Sequence, residues 1–594
     1  MILQALVKYY ENMAKEGDLP RQGYCTGKVS YALSLSEEGE LRGIINIRQR
    51  ATRGKKEVEA PNSLTVPEQE SRSVNIFPFF LCDNAIYLLG LDTKGKPQRA
   101  LQCFEASKEL HRKILSGADH PAARAILAFF DRWDPAQAAE NSHVQEHLAG
   151  LVAGGNLVFV VKENYAQKCS ALQEAWEAYC AAQEQSVELP CLVTGQRQPI
   201  AIVHGKIRGV KDAHSVGANL VSFNSSAYES YGRDEAQGLN APVGKYAAFA
   251  YATALNALLA DQDHRQIIGD TTIVYWAESG EKIYPSSFNI TLNPTEDSQK
   301  LLHAMMEKIS QGLPPQDGIK PEMPFCILGL APNAARLSVR FFFQDSFGNF
   351  LRNLKRHYDD MEIVRAPYEF AYLSPYWLLR ETVNPNSKDK SGSHLLGGAV
   401  MRSILTGAPY PRALMDAVML RIHAEQDDSD HHIKKITRGR AAIIKGCLLR
   451  WHRDETDYEE VLQVSLNEES KNKAYVLGRL FAILERAQLE AYPSINATIK
   501  DRYFTSACAT PGSVFPTLIK LSRHHIRVIK DMKLKCYLDN QIKDLLDKLD
   551  VTDAPFPAHL SLEHQGNFVL GYYQQTQKRY IKKAENENDN KEEA

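Results

Sequence analysis

An acidic and histidine-rich run, DDSDHH at residues 427–432, carries side chains that could bind a metal ion. Carboxylates and imidazoles are the ligands of metal-dependent phosphoesterases, and here they would be Asp428, Asp430, His431 and His432. Such enzymes need further ligands from separate strands, whereas this run lies between predicted helices. We therefore predict a surface loop and keep a metal-dependent phosphoesterase or nuclease as an alternative.

Other signatures of catalysis are missing or incomplete. The sequence contains no GxxxxGK[ST] phosphate loop, no HExxH motif and no GxSxG nucleophile elbow. The letters HRD at 452–454 occur in kinase catalytic loops, but no glycine-rich loop and no DFG accompany them. His524 and His525 lie among arginines and lysines, which would repel a metal ion. The sequence therefore predicts no enzyme and no cofactor.

The C-terminal quarter of the chain is basic. Residues 431–583 contain 25 Lys plus Arg against 17 Asp plus Glu, a charge that favours polyanionic partners. The segment LIKLSRHHIRVIKDMKLKCY (518–537) is predicted to be one helix that turns its apolar side chains inward and its cations outward. A row of cations suits a phosphate backbone, although a solvated helix face explains it equally well. The inward residues would be Leu518, Leu521, Ile526, Val528 and Ile529. The candidate contacts to the DNA backbone are Lys520, Arg523, Arg527, Lys530 and Lys533.

A second candidate segment is ATRGKKEVEAPNSLTVPEQESRSVN (51–75). It is polar and contains prolines, so we predict a long irregular loop, which in a compact domain is usually functional or disordered. Its basic side chains could hold phosphates while an Asn or Ser side chain reaches a base edge. The candidate residues are Asn62, Ser63, Lys55, Lys56 and Arg72.

The third candidate segment is HGKIRGVKDAHSVGANLVSFNSSAYESYG (204–232). Its glycines, among them Gly209 and Gly217, permit backbone conformations closed to other residues and a close approach of another chain. Basic side chains could pair with an anion there. A connecting strand and turn is the alternative. The candidate nucleic-acid contacts are Lys206, Arg208 and Lys211.

The elements that must position these segments form a mixed fold. Apolar and polar residues alternate at 28–36 and more loosely at 41–49, which predicts paired strands, and we predict a buried strand pair at 75–90. From about residue 394 the pattern is almost wholly helical. The fold class is therefore α+β, with a mixed α/β N-terminal body and a C-terminal all-helical bundle. The predicted domains are 1–135, 136–320, 321–392, 393–583 and a disordered acidic tail at 584–594.

Composition places the chain among ordinary globular proteins. Its 594 residues are 44% hydrophobic and 24% charged. No apolar run approaches the roughly 20 residues needed to span a bilayer. The ten cysteines include no CxxC pair, which predicts reduced thiols. We expect a cytoplasmic protein with no membrane partner.

Five segments together resemble the large subunit of the type I-C CRISPR surveillance complex, Cascade, of the Csd family. They follow the order found in that family along nearly the whole chain. The segments are VPEQESRSVNIFPFFLCDNAIYLLG, PCLVTGQRQPIAIVHGKIRGVKDAHSVGANLVSFNSSAYESYG, NAPVGKYAAFAYATALNALL, ILGLAPNAARLSVRFFF and GAPYPRALMDAVMLRIHAEQ.

This resemblance implies a non-catalytic subunit in RNA-guided DNA binding. Such a subunit recognises the protospacer-adjacent motif (PAM) in duplex DNA, helps to unwind the duplex, stabilises the R-loop and positions a helicase-nuclease, while guide pairing reads the remaining sequence. The loop 51–75 would read the PAM, and the C-terminal helices, which resemble the small subunit, would contact a DNA strand. A purely structural nucleic-acid-binding scaffold is a further alternative. The implied partners are crRNA, target double-stranded DNA, the Cascade backbone and handle-binding subunits, the small subunits and the recruited helicase-nuclease.

Overall fold

The computed structural model describes residues 1–17, 19–53, 56–69, 72, 75–93, 95–182, 187–223, 225–229, 232, 236–388, 393–453, 455–549 and 554–592. The chain divides into two compact units. The first unit contains Met1–Gly205 and Val221–Ala257, and the second contains Lys206–Leu220 and Leu258–Ala594. None of the described helices is long and apolar enough to cross a membrane.

The first unit combines a mixed sheet with packed helices. Its strands are β1 (Tyr24–Leu35), β2 (Leu41–Asn46), β3 (Gln49–Arg53), β4 (Lys56–Ala60), β5 (Asn62–Pro67), β6 (Cys82–Asn84), β7 (Asn156–Val161), β8 (Asn164–Tyr165), β9 (Glu188–Pro190) and β10 (Arg197–Pro199). Its helices are α1 (Ile2–Glu16), α2 (Ala85–Leu88), α3 (Pro97–Leu115), α4 (Pro121–Arg132), α5 (Ser142–Ala153), α6 (Ser170–Ala182) and most of α7 (Lys245–Ala260).

Strand β1 is the centre of the first sheet. It pairs antiparallel with β2 and with β5, and parallel with β7. The predicted pairing of the first two strands is confirmed. From Val29 to Leu33 both faces of β1 are buried, and the rings of Phe129 and Phe130 on α4 lie 5.8 and 5.9 Å from that of Phe159 on β7. Nearer its start, β1 exposes one face to solvent.

The prediction of an irregular loop at 51–75 is wrong up to Pro67, whereas the described residues 68, 69, 72 and 75 lie outside strands and helices. Strands β3 and β4 form a two-stranded antiparallel ribbon, and β5 joins the main sheet. A two-stranded ribbon has little face to bury, so its sequence lacks the apolar alternation that reveals a strand. Pro61 and Pro67 lie between β4 and β5 and at the end of β5, where a missing N–H costs little.

The predicted strand pair at 75–90 is also wrong. Only Cys82–Asn84 is a strand there, and the helix α2 follows it directly. The Asn84 side chain accepts a hydrogen bond from the Ile86 amide at 3.1 Å and thereby caps this helix.

The second unit contains an antiparallel sheet and a helical bundle. Its strands, in their order in the sheet, are β11 (Arg265–Ile268), β12 (Thr271–Ala277), β13 (Pro324–Asn333) and β14 (Arg336–Ser346). Its helices are α8 (Ile283–Leu292), α9 (Gln299–Ser310), α10 (Phe347–Met361), α11 (Pro375–Arg380), α12 (His394–Thr406), α13 (Arg412–Ala424), α14 (Arg438–Trp451), α15 (Thr456–Glu459), α16 (Lys473–Ala491), α17 (Ile499–Ala509), α18 (Pro511–Val528), α19 (Met532–Asp547) and α20 (Leu562–Glu592).

Helix α16 is the axis of the bundle. It is buried from Ala474 to Leu484, and α20 packs closely against it. A Cβ at Gly478 would lie 2.0 Å from the Phe568 carbonyl oxygen, so only glycine lets the two backbones approach this far. The predicted α+β class, with a mixed N-terminal body and a helical C-terminal bundle, is confirmed.

The predicted helix at 518–537 is two helices. Helix α18 ends at Val528, and Asp531 caps α19 by accepting hydrogen bonds from the amides of Lys533 and Leu534 at 2.9 and 3.2 Å. Leu521 and Val528, predicted to pack inward, are 38% and 37% exposed. Both lie on α18 before the break, and they are off its buried face, which contains Leu518, Ser522, His525 and Ile526. The predicted burial of the other three is confirmed, at Leu518, Ile526 and Ile529.

Candidate nucleic-acid interface

The exposed face at the start of β1 carries a polar strip shared with β5. Lys28 pairs with Ser63 across the two strands, and its Nζ donates to the Ser63 Oγ at 3.4 Å. Thr26 pairs with Thr65 beside them, and all four side chains are exposed. Asn62 begins β5 and pairs with Val29, so its half-buried side chain lies on the opposite face of the sheet from Lys28 and Ser63. We call Thr26, Lys28, Ser63 and Thr65 the β1–β5 strip.

The sequence predicted only part of this strip. Ser63 was a candidate, whereas Lys28 was placed in a different strand with no role. The signal available was the alternation of KVSYALSLS, which puts Lys28 on the face opposite Val29. The pairing of β1 with β5 was needed to bring Lys28 to Ser63.

Of the two predicted lysines of this region, the structure describes one. Lys55 lies outside the described residues, and Lys56 is the first residue of β4. The base of the ribbon is fixed, because the Arg48 guanidinium pairs with Glu59 at 3.2 Å and lies 5.2 Å from the centre of the Tyr31 ring. The role of both lysines in holding phosphates stays a prediction.

The Arg72 side chain binds groups in the interior of the first unit. Its guanidinium binds both carboxylate oxygens of buried Asp83 and donates to the Phe77 carbonyl at 2.7 Å. It also lies 3.8 and 3.9 Å from the ring centres of Phe79 and Tyr87. Burial raises the pKa of Asp83, while the hydrogen bond from Arg72 acts to lower it. This arrangement gives Arg72 a structural role in the free protein.

The central segment is ordered by its glycines and by buried side chains. Ile207 forms an antiparallel bridge with Ala218, and it is buried between exposed Lys206 and Arg208. Gly217 has φ +98°, and a Cβ there would lie 2.9 Å from the Lys206 Cβ. The predicted need for glycine at this turn is therefore confirmed.

The three cations of the central segment differ in their surroundings. The Lys211 Nζ donates to the Gly269 carbonyl at 2.9 Å, and its amide donates to the Thr272 Oγ1 at 3.0 Å. Lys206 and Arg208 are exposed on either side of Ile207. The Lys211 side chain is therefore bound within the second unit, whereas Lys206 and Arg208 are accessible to solvent.

The cations of α18 and of the following segment lie on an exposed surface. Lys520, Arg523 and Arg527 follow one face of α18 at spacings of three and four residues. In the part of the chain that the structure describes, no hydrogen bond or ion pair engages their side chains, nor those of Lys530 and Lys533. The five predicted residues are thus brought together, and all five are exposed.

Two exposed aromatic rings lie at the end of α16 and on α19, the helices that pack against α18, and the sequence did not reveal them. The Tyr492 hydroxyl lies 2.9 Å from the His524 Nε2, and the two rings are inclined by only 23°. On α19, Tyr537 lies 5.9 Å from the Arg486 guanidinium of α16. We call the following set the C-terminal surface: Arg486, Tyr492, Lys520, Arg523, His524, Arg527, Lys530, Lys533 and Tyr537.

The acidic and histidine-rich run forms a compact turn. Asp428 accepts hydrogen bonds from the amides of Asp430 and His431 at 3.0 and 3.1 Å, and its Oδ2 lies 2.8 Å from the His431 Nδ1. Asp427 pairs with Lys500 at 2.7 Å. Among the described residues no group of three or more His, Cys, Asp or Glu side chains is placed to hold a metal ion.

Comparison with known proteins gives one family. The sequence model of the family described as CRISPR-associated protein (Cas_Csd1) matches residues 6–580. No curated protein is similar enough to match. The family match includes the β1–β5 strip, the central segment and the C-terminal surface. The chain therefore belongs to the Cas_Csd1 family of CRISPR-associated proteins.

Proposed function

We propose that this chain is the non-catalytic large subunit of a type I-C Cascade complex in the cytoplasm. It recognises the PAM in double-stranded DNA, helps to open the duplex, stabilises the R-loop and positions the recruited helicase-nuclease. Its further partners are crRNA, the backbone and handle-binding subunits, and the small subunits. The observation that carries the proposal is the family match over residues 6–580, which includes both exposed polar surfaces.

The β1–β5 strip and the adjoining ribbon support a contact with duplex DNA. A two-stranded ribbon is one of the elements that fit a major groove, and amide and hydroxyl side chains can read base edges. In this proposal Ser63 reaches a base edge and Lys28, which contacts Ser63, holds a phosphate, while Asn62 reaches a base from the start of β5 next to the ribbon. Arg72 is left out, because its guanidinium already binds Asp83.

The C-terminal surface supports a contact with a DNA strand of the R-loop. Its cations act on phosphates through counterion release and carry no base sequence information. This division of labour matches guide-directed recognition, in which base pairing with RNA reads the target and the protein reads only the PAM.

The test is a gel-shift titration of the reconstituted complex on two duplexes that differ only in the PAM. Asn62→Ala should bring the two affinities closer together. Lys28→Met should weaken binding to both duplexes alike, and Lys28→Arg, which keeps the charge, should restore it. An equal loss on both duplexes for Asn62→Ala would remove Asn62 from PAM reading.

The non-catalytic part of the proposal has its own test. The purified chain is incubated with Mg²⁺ or Mn²⁺ and end-labelled DNA or RNA, beside an Asp428→Ala variant. We expect intact nucleic acid in both reactions. Cleavage by the wild-type chain that Asp428→Ala abolishes would establish the metal-dependent nuclease instead.

A further inference from the structure

We infer that the C-terminal surface binds a single strand of nucleic acid by stacking bases on Tyr537 and Tyr492, and that it discriminates against duplexes. This inference rests on the DNA-strand contact proposed above and adds the form of nucleic acid, single-stranded or duplex, that the surface selects. Phosphate contacts alone do not distinguish a single strand from a duplex. Exposed rings do, because only an unpaired and unstacked base offers its face to them.

Both tyrosine rings are accessible and held in position. Tyr537 is 41% exposed and lies beside the Arg486 guanidinium, which Glu490 contacts at 3.7 Å. Tyr492 is 37% exposed, and its hydroxyl is fixed by His524. A ring that is already oriented loses little conformational entropy when a base stacks on it.

The cations are placed to hold the backbone of the same strand. Lys520 and Arg527 are seven steps apart on one helix, or roughly 10 Å at 1.5 Å per residue, and Arg523 lies between them. His524, which holds Tyr492, lies between them in the sequence. The carboxylates at the border are already engaged: Glu490 contacts Arg486, and Asp531 caps α19. Rings interleaved with cations are the arrangement that single-strand-binding proteins use.

The experiment measures fluorescence anisotropy of the full chain with three labelled probes. The first is an oligothymidylate of about 20 nucleotides, longer than the roughly 4–16 nucleotides that one single-strand site covers. The second is an abasic strand of equal length, which has the phosphates without the bases. The third is a duplex of equal length. The wild-type chain should bind the oligothymidylate more tightly than either of the other probes.

Substitution of Tyr537 separates stacking from charge. Tyr537→Ala should weaken oligothymidylate binding about fivefold or more, the loss expected for one stacked base. It should leave the affinity for the abasic strand and for the duplex unchanged. Tyr537→Phe keeps the ring and should behave as wild type, whereas Tyr537→Leu keeps apolar bulk and should behave as Tyr537→Ala. Tyr368→Ala is the matched control, since Tyr368 is 80% exposed on a turn outside this surface.

The outcomes separate this inference from the proposed function. If Arg523→Ala with Arg527→Ala weakens binding to every probe but Tyr537→Ala weakens none, stacking is refuted and the DNA contact stands. If neither substitution changes the binding of any probe, the surface does not bind nucleic acid. Base stacking and the DNA-strand contact are then both refuted, and an acidic protein is left as the partner of this surface. An equal loss for Tyr537→Ala on all three probes also overturns stacking.

Discussion

Two predicted binding regions use their cations in opposite ways. In the first unit, Arg72 places its guanidinium on buried Asp83 and between two aromatic rings. On the C-terminal surface, Arg523 and Arg527 have no such partner among the described residues. Both regions contain arginines and lysines that the sequence offers as binding candidates, so residue type does not distinguish them. A cation is a binding candidate only where the fold has not already paired it.

The largest effect expected from this comparison is on stability at Arg72. Arg72→Ala leaves the Asp83 carboxylate buried and unpaired, which should lower the free energy of unfolding by about 3–5 kcal/mol. Denaturant unfolding followed by circular dichroism measures it. Lys28→Ala, at an exposed position of the same unit, should change that free energy by less than about 0.5 kcal/mol. A small loss at Arg72, similar to that at Lys28, would show that the guanidinium is not structurally committed.

The next largest effect concerns pH and the interior of the first unit. His111 is fully buried, accepts from the Leu81 amide at 3.0 Å, and has its pKa lowered to about 4 by burial. The unfolded chain binds the proton near pH 6.5, so this contribution to stability is present above pH 6.5 and is lost as the pH falls towards 4. The loss should amount to about 2–3 kcal/mol.

The measurement is the free energy of unfolding of wild type and His111→Phe between pH 7 and pH 4.5. The variant is less stable at neutral pH, because the Leu81 amide loses its acceptor. Its stability should nevertheless fall less steeply with acid than that of the wild type. His303→Phe, at an exposed position, controls for the substitution itself. Parallel curves for wild type and His111→Phe would contradict the prediction.

The sequence predicted the types of residue at these sites better than their partners. Alternation of apolar and polar residues revealed the strands at 28–36 and 41–49, and helical periodicity of apolar residues revealed the C-terminal bundle. The pairing of Arg72 with Asp83 joins two segments, predicted as a loop and a strand pair, that no sequence pattern brings together. The partner of Lys211 is a main-chain carbonyl, at Gly269, and no side-chain pattern reports a carbonyl.

On the C-terminal surface, too, the sequence revealed residue types but not all of their partners. Its cations could be listed from α18 alone, since they share one helix face. Tyr537 and Arg486 belong to different helices and meet only through packing on α16. One local signal was available and was missed. Asp531 precedes Lys533 and Leu534 as a helix cap, so the predicted single helix should have been divided there.

A smaller effect is expected at Lys211. Lys211→Met removes the hydrogen bond to the Gly269 carbonyl and should lower the free energy of unfolding by about 1 kcal/mol. It should leave the affinity for DNA unchanged. Lys206→Met, nearby and exposed, should show the reverse: a stability change below about 0.5 kcal/mol and weaker binding of DNA. If Lys211→Met weakens DNA binding as much as Lys206→Met does, Lys211 exchanges its hydrogen bond to the Gly269 carbonyl for a contact with the nucleic acid.

The smallest effect on stability is expected at Arg523 and Arg527. Their replacement should nevertheless weaken the binding of nucleic acid. Their double replacement by alanine removes exposed charges without breaking any described contact, so the free energy of unfolding should change by less than about 0.5 kcal/mol. Each lost phosphate contact should reduce the slope of log K against log salt by about 0.7 for a single strand, or about 1.4 for both. Gel-shift titrations of the complex at several salt concentrations measure this slope. Since these arginines are available where Arg72 is not, an unchanged slope would mean that exposure alone does not make a cation a binding residue.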